Sequence, residues 1–154
     1  MYFQGAISNT MDKKGRVAIP ARFRQVLKGQ GDERLVVTIF GVSGVPCLEA
    51  WPTQGWHELL QSVENAPDRF SDQHLIFETV YIGSGEECDP DSQGRILLPA
   101  LHRGAAELSR DLFFVGAGSR IRIFSKENHA KVFQEFMSRL GNPAGEGFSG
   151  LLSS

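Results

Sequence analysis

The stretch Asp12-Lys13-Lys14-Gly15-Arg16-Val17-Ala18-Ile19-Pro20-Ala21-Arg22-Phe23-Arg24 returns once, without a gap, as Asp91-Ser92-Gln93-Gly94-Arg95-Ile96-Leu97-Leu98-Pro99-Ala100-Leu101-His102-Arg103. Identical residues stand at Asp12/Asp91, Gly15/Gly94, Arg16/Arg95, Pro20/Pro99, Ala21/Ala100 and Arg24/Arg103. Such a repeat reads as two copies of one structural unit. In each copy the Asp can accept from backbone N–H groups two or three residues on, and the Gly takes a positive φ at no steric cost. The apolar triplet after Gly-Arg makes a short strand. Pro stops that strand and opens a helix, where its fixed φ suits the first position and its missing N–H is not needed. The predicted order is turn, Arg, strand, Pro, helix, twice over.

Working outward, residues 6–10 read as a strand into the first motif, and Met1–Gly5, native or the remnant of a cleavable tag, carries no weight. A short helix follows Pro20 to about Lys28. Leu35–Phe40 is a strand by its β-branched content, residues 41–46 a turn and Cys47–Trp51 a second strand. Pro52 opens a helix with Trp56, Leu59, Leu60 and Val63 on one face. A further helix is expected over 69–81, with Phe70, His74, Phe77 and Tyr81 on one stripe, although Leu75–Ile82 also reads as a strand. Gly83-Ser84-Gly85 separates the halves. The second motif leads to a helix to about Leu108, strands at Leu112–Val115 and Ile121–Phe124, and a last helix capped by Ser125. That helix carries Val132, Phe133, Phe136, Met137 and Leu140 on one face. The expected divisions are 1–83, 84–140 and a Gly-rich tail, 141–154, too flexible to order alone.

The chain has 154 residues and a formal net charge of −2, which suits one domain or two mutually dependent halves. Residues 12–24 nevertheless set Lys13, Lys14, Arg16, Arg22 and Arg24 against Asp12 alone, a local excess of four positive charges. Local excess, rather than net charge, steers a polyanion. Nothing approaches the roughly 18 apolar residues in a row of a membrane span, and no cleavable signal is expected. Cys47 and Cys88 stand in no metal-binding spacing and read as reduced cytosolic thiols. The four histidines are dispersed, with His57 and His129 expected on helix surfaces. Glu86-Glu87 beside Asp89 and Asp91 lacks calcium-loop spacing and reads as a solvated acidic turn. No metal, cofactor or enzymatic motif is expected.

Paired Asp-x-x-Gly-Arg stretches, each followed by an apolar triplet and Pro, resemble the MraZ family of the AbrB-like swapped-hairpin group. The resemblance covers nearly the whole chain. It implies an α+β fold of two tandem AbrB-like half-units that form a pseudo-two-fold swapped-hairpin β-barrel with flanking helices. It also implies a homo-oligomeric ring that binds repeated boxes in double-stranded DNA, in the promoter of its own division and cell-wall gene cluster. Such a regulator is cytoplasmic and nucleoid-associated. The second copy departs from the pattern: Pro90 precedes its Asp, and Ser92 and Leu101-His102 are less basic than their counterparts.

Arg16 is the first candidate for DNA contact, because its guanidinium can grip guanine O6 and N7, or a phosphate, with two parallel hydrogen bonds. The competing reading folds Arg16 back on Asp12; both hold if Asp12 orients the arginine. Lys13 and Lys14, on the turn tip, suit phosphate contact. Arg95 stands in the same relation to Asp91. Arg22 and Arg24 are two residues apart on a helix and cannot share a face, so one of them is expected to be structural. Asp12, Gly15, Asp91 and Gly94 orient the turns. Alternatives from other classes are an antitoxin-like protein–protein module and a structural ring protein. The five apolar residues of the last helix are more than the two halves can cover, which predicts a homo-oligomer.

Overall fold

The computed structural model describes residues 2–140; the expected tail, 141–154, lies outside them. The first half contains β1 (Ala6–Thr10), β2 (Arg16–Ala18), α1 (Ala21–Gly29), β3 (Leu35–Val42), β4 (Val45–Pro52), α2 (Thr53–Glu64) and α3 (Asp72–Phe77), which runs on into a π-helical turn at Glu78–Ile82. The second contains β5 (Glu86–Cys88), β6 (Arg95–Leu97), α4 (Ala100–Ala105), β7 (Asp111–Gly116), β8 (Ile121–Ser125) and α5 (Lys126–Leu140). The fold is α+β with antiparallel sheets.

A six-stranded sheet runs in the order β1-β7-β8-β4-β3-β5, and β2 pairs with β6 in a separate ladder. The halves exchange strands: β1 lies along β7, and β5 lies along β3. The registers share one centre of symmetry. The β2–β6 ladder is centred on Val17 opposite Ile96, and β4–β8 on Glu49 opposite Arg122. Both pairs therefore lie on an approximate two-fold axis relating the halves. The same relation carries Phe23 onto His102. His102 is buried and its Nε2 lies 2.7 Å from the carbonyl of Ser84, so the second helix is tied to the segment that joins the halves.

Alternation along the strands makes two cores. Leu35 and Val37 of β3 face inward with Val17, Ile19, Phe23, Leu27, Ile96, Leu98, Leu112, Phe114, Ile121 and Ile123, between the sheet and the small ladder. Burying a side chain of this size contributes about 1.5–3 kcal/mol. Phe3 joins them, edge-on to Phe23 at 5.7 Å, so the first residues do carry packing. Val36, on the other face, meets Trp56 and Tyr81 under α2 and the π-helical turn. On that face Glu49 is 2% exposed and accepts from Arg122 Nε at 2.8 Å, Arg120 Nε at 3.4 Å and the Tyr81 hydroxyl. Trp51 Nε1 donates to Tyr81 Oη at 2.8 Å, and burial and then Glu49 push the phenol's pKa up. Every polar group of this buried set is thereby partnered through another.

Several boundaries differ from expectation, each for a local reason. The first hairpin turn is only Ser43-Gly44, both at positive φ (54° and 77°), the geometry that a two-residue hairpin requires. The helix expected from residue 69 starts at Asp72, because the Ser71 hydroxyl accepts from the His74 N–H at 3.2 Å. Phe70 lies outside it, 78% exposed. The π-helical turn then places Tyr81 inward, stacked on Phe77 at 4.7 Å. Helix α4 stops at Ala105, well before Leu108, where Glu107 takes a left-handed φ of 57° and Leu108 N–H donates to Arg103 O. Glu86–Cys88 is a strand, not a turn, and Glu87 pairs with Arg34 at 3.2 Å. Ser125 does cap α5, accepting from Asn128 N–H at 3.0 Å.

Candidate nucleic-acid interface

Each motif builds its turn from one carboxylate. Asp12 Oδ1 accepts from the backbone N–H of Lys14 and of Arg16, both at 2.9 Å, and Oδ2 accepts from Arg16 Nε at 2.8 Å. Asp91 repeats this with Gln93 N–H at 2.8 Å, Arg95 N–H at 3.0 Å and Arg95 Nε at 3.0 Å. These donors, the arginine's backbone N–H first, hold both carboxyls below their ordinary pKa. Gly15 and Gly94 sit at φ 93° and 76°. Their carbonyls accept from Leu98 and Ile19 N–H respectively, both at 2.9 Å, so each turn is fastened to the strand of the other half.

The register then sets the two arginines relative to one another. Val17 and Ile96 are buried beneath the ladder, so Arg16, Ala18, Arg95 and Leu97 share its outer face. Arg16 is opposite Leu97 and Arg95 opposite Ala18, which makes the arginines diagonal neighbours, about 7–8 Å apart. Both ion pairs use Nε, and the terminal nitrogens of Arg16 and Arg95 take no hydrogen bond among the described residues. Each carboxylate orients a guanidinium and leaves its two-pronged end outward. Leu97 is 57% exposed between them.

The helix arginines cross over. Arg24 of α1 lies against Gly94, and Arg103 of α4 lies against Gly15, where a Cβ would come 2.7 Å from its Nε. Arg103 Nε donates to Leu98 O at 3.0 Å, whereas Arg24 Nε is buried with no partner among the described residues. Arg22, on the other side of α1, is exposed and lies over Gly5. Lys13 and Lys14 are exposed at the turn tip. Arg103 and Arg110 join the cations expected at this surface. Alignment of Arg103 with Arg24 was a usable signal; Arg110 lies outside the repeat and had none.

Among the described residues, no group of three or more histidine, cysteine and carboxylate side chains could hold a metal ion. Cys47 and Cys88 are buried free thiols, and burial pushes both up to about 12. The Cys88 thiol donates to Leu97 O at 3.6 Å, as the Asn9 amide does to Ala18 O at 2.6 Å in the other half. His129 is not on the surface but half-buried, stacked on Phe113 at 4.3 Å. No helix among the described residues is long and apolar enough to cross a membrane.

Comparison with known proteins decides the family. The family described as "MraZ protein, putative antitoxin-like" matches residues 2–76 and again residues 82–146. This chain belongs to the MraZ family. Each matched segment holds one Asp-x-x-Gly-Arg turn. Proteins named transcriptional regulator MraZ from Syntrophobacter fumaroxidans and Syntrophotalea carbinolica are 35% and 39% identical to it. The first alignment spans 91% of this chain and 97% of the relative; the second spans 84% and 85%. MraZ from Heliobacterium modesticaldum is 36% identical over 84% of this chain and 85% of its own length.

Proposed function

We propose that this chain is a non-enzymatic transcriptional regulator that binds double-stranded DNA in a sequence-specific manner. The observation carrying this reading is the pair of arginines set diagonally on one ladder, each held through Nε by its own aspartate. A guanidinium restrained in this way loses little freedom when its remaining N–H groups grip a guanine edge or a phosphate. Arg16 and Arg95 are the base readers. Lys13, Lys14 and Arg22 take phosphates, which position the protein without reading sequence, and Arg24 acts at the second turn, where it lies. The two sheets close into a swapped-hairpin barrel of half-units 1–83 and 84–140.

The chain acts as a homo-oligomeric ring in the cytoplasm, on the nucleoid, at repeated boxes upstream of its own division and cell-wall gene cluster. The exposure of Phe133, Met137 and Leu140 on α5 supports assembly. Rings add avidity: a second box at matching spacing meets its subunit at high effective concentration, with gains of roughly 10²–10⁴. The test begins with footprinting on the DNA upstream of the gene and light scattering at micromolar concentration. Titrations at fixed salt then compare one box, two boxes in phase, and two boxes displaced by about 5 base pairs, half a helical turn. Arg16→Ala should lose about 1–3 kcal/mol of preference for the box over scrambled DNA. A monomer, or equal affinity for all three duplexes, removes the ring. An Arg16→Ala protein with full preference but a lower Tm removes base reading. A co-purifying protein partner without salt-sensitive DNA binding would favour the antitoxin-like reading instead.

A further inference from the structure

A cleft of about 640 Å³ opens beside the first turn, and its lining includes Met11, Asp12, Lys13, Arg103, Leu108 and Arg110. Its floor is apolar, from buried Met11 and half-buried Leu108. Its only acid, Asp12, is already committed to Arg16 and the turn. Three cations remain on its walls. Lys13 and Arg110 have no side-chain partner among the described residues, and Arg103 spends only Nε, on Leu98 O. The walls are fixed: Met11 N–H donates to Arg110 O at 2.8 Å, and Leu108 N–H to Arg103 O at 2.9 Å. Early termination of α4 at Ala105, with Glu107 beyond it in a left-handed conformation, shapes this corner.

The other half has no such arrangement. Asn9 opposite Leu112 corresponds to Cys88 opposite Leu35, so Glu33 stands where Arg110 stands and Ser92 where Lys13 stands. Neighbouring Arg34 is tied to Asp32 at 2.7 Å and to Glu87 at 3.2 Å. We infer that the cleft of Lys13, Arg103 and Arg110 seats one phosphate group, a phosphodiester of the DNA held by the first turn. This rests on the DNA-binding reading above and deepens it. The second half thereby supplies Arg103 and Arg110 to the first half's turn, and the complex is polar: three cations grip the backbone on one side of the arginine pair, and Arg24 alone stands at the related position.

The test is a fluorescence-anisotropy titration of the upstream duplex and a scrambled duplex, from about 50 to 200 mM salt. Wild type is compared with Arg110→Ala, Arg103→Lys and, as an arginine outside the cleft, Arg34→Ala. Arg110→Ala should weaken both duplexes by the same factor and reduce the slope of log K against log salt by about 0.9, the value for one phosphate. Arg34→Ala should leave the slope alone. A wild-type slope and affinity in Arg110→Ala, or an equal loss in Arg34→Ala, overturns the proposal. Inorganic phosphate, followed by the arginine Nε–H resonances, separates the two sources of the group. Competition with DNA supports the phosphodiester seat; saturation of the cleft with no effect on DNA binding overturns it in favour of a free anion. If wild type shows no salt-dependent binding at all, the DNA reading fails before any variant is compared, and the seat falls with it.

Discussion

Gly94 shows how much one position without a side chain supports. Its φ of 76° lies where an L-residue is disfavoured, and a Cβ there would run into the guanidinium of Arg24. Gly94→Ala therefore meets both backbone strain, about 1–2 kcal/mol, and displacement of a side chain from the other half. It should lower Tm by several degrees in a thermal melt, since 1 kcal/mol is worth roughly 2–4 °C at this size. An unchanged Tm would mean that Arg24 swings away at no cost. The turn itself was legible from sequence, because Asp, Gly and Arg act on neighbours within a few residues. The arginine lying on it was not, because Arg24 and Gly94 meet only when the halves interleave.

Among the elements, the paired strands and the helices after each Pro follow the expected order, while helix ends and one histidine do not. His129 is set by sequence spacing on α5, but whether that face meets solvent depends on where β7 lies. Stacked on Phe113 and edge-on to Phe124 at 6.0 Å, its imidazole is held below its ordinary pKa of 6.5 by burial. The folded pKa is lower than the unfolded one, so the unfolded chain binds the extra proton first. The neutral ring's contribution is complete above about pH 6.5 and is lost as pH falls through the folded value. His129→Phe should flatten the fall in Tm between pH 7 and pH 5.5. If the two proteins lose stability in parallel over that range, other groups govern it. The short α4 was missed because its stop signal is a glutamate in a glycine's conformation, which residue type does not announce.

At the scale of the whole molecule, the repeat made a two-half architecture legible, while the exchange of β1 and β5 between halves was implied only by the family resemblance, since no local pattern in either strand names its partner. The axis through Glu49 and Arg122 adds a constraint. On a two-fold axis a residue faces its own counterpart, so a first half paired with a copy of itself would set Glu49 against Glu49. A second half would likewise set Arg122 against Arg122. The first arrangement buries like charges and the second crowds two partly buried arginines, whereas leaving one buried charge without its partner already costs about 3–5 kcal/mol. Fragments 1–83 and 84–140, produced apart and followed by size exclusion and circular dichroism, should remain poorly folded alone and form a one-to-one complex when mixed. Stable self-pairs of either fragment would contradict this. One acid and one base on the axis thus make the halves heterotypic: within a single chain the centre of the fold need not recognise itself, and each half is shaped for the other rather than for its own copy.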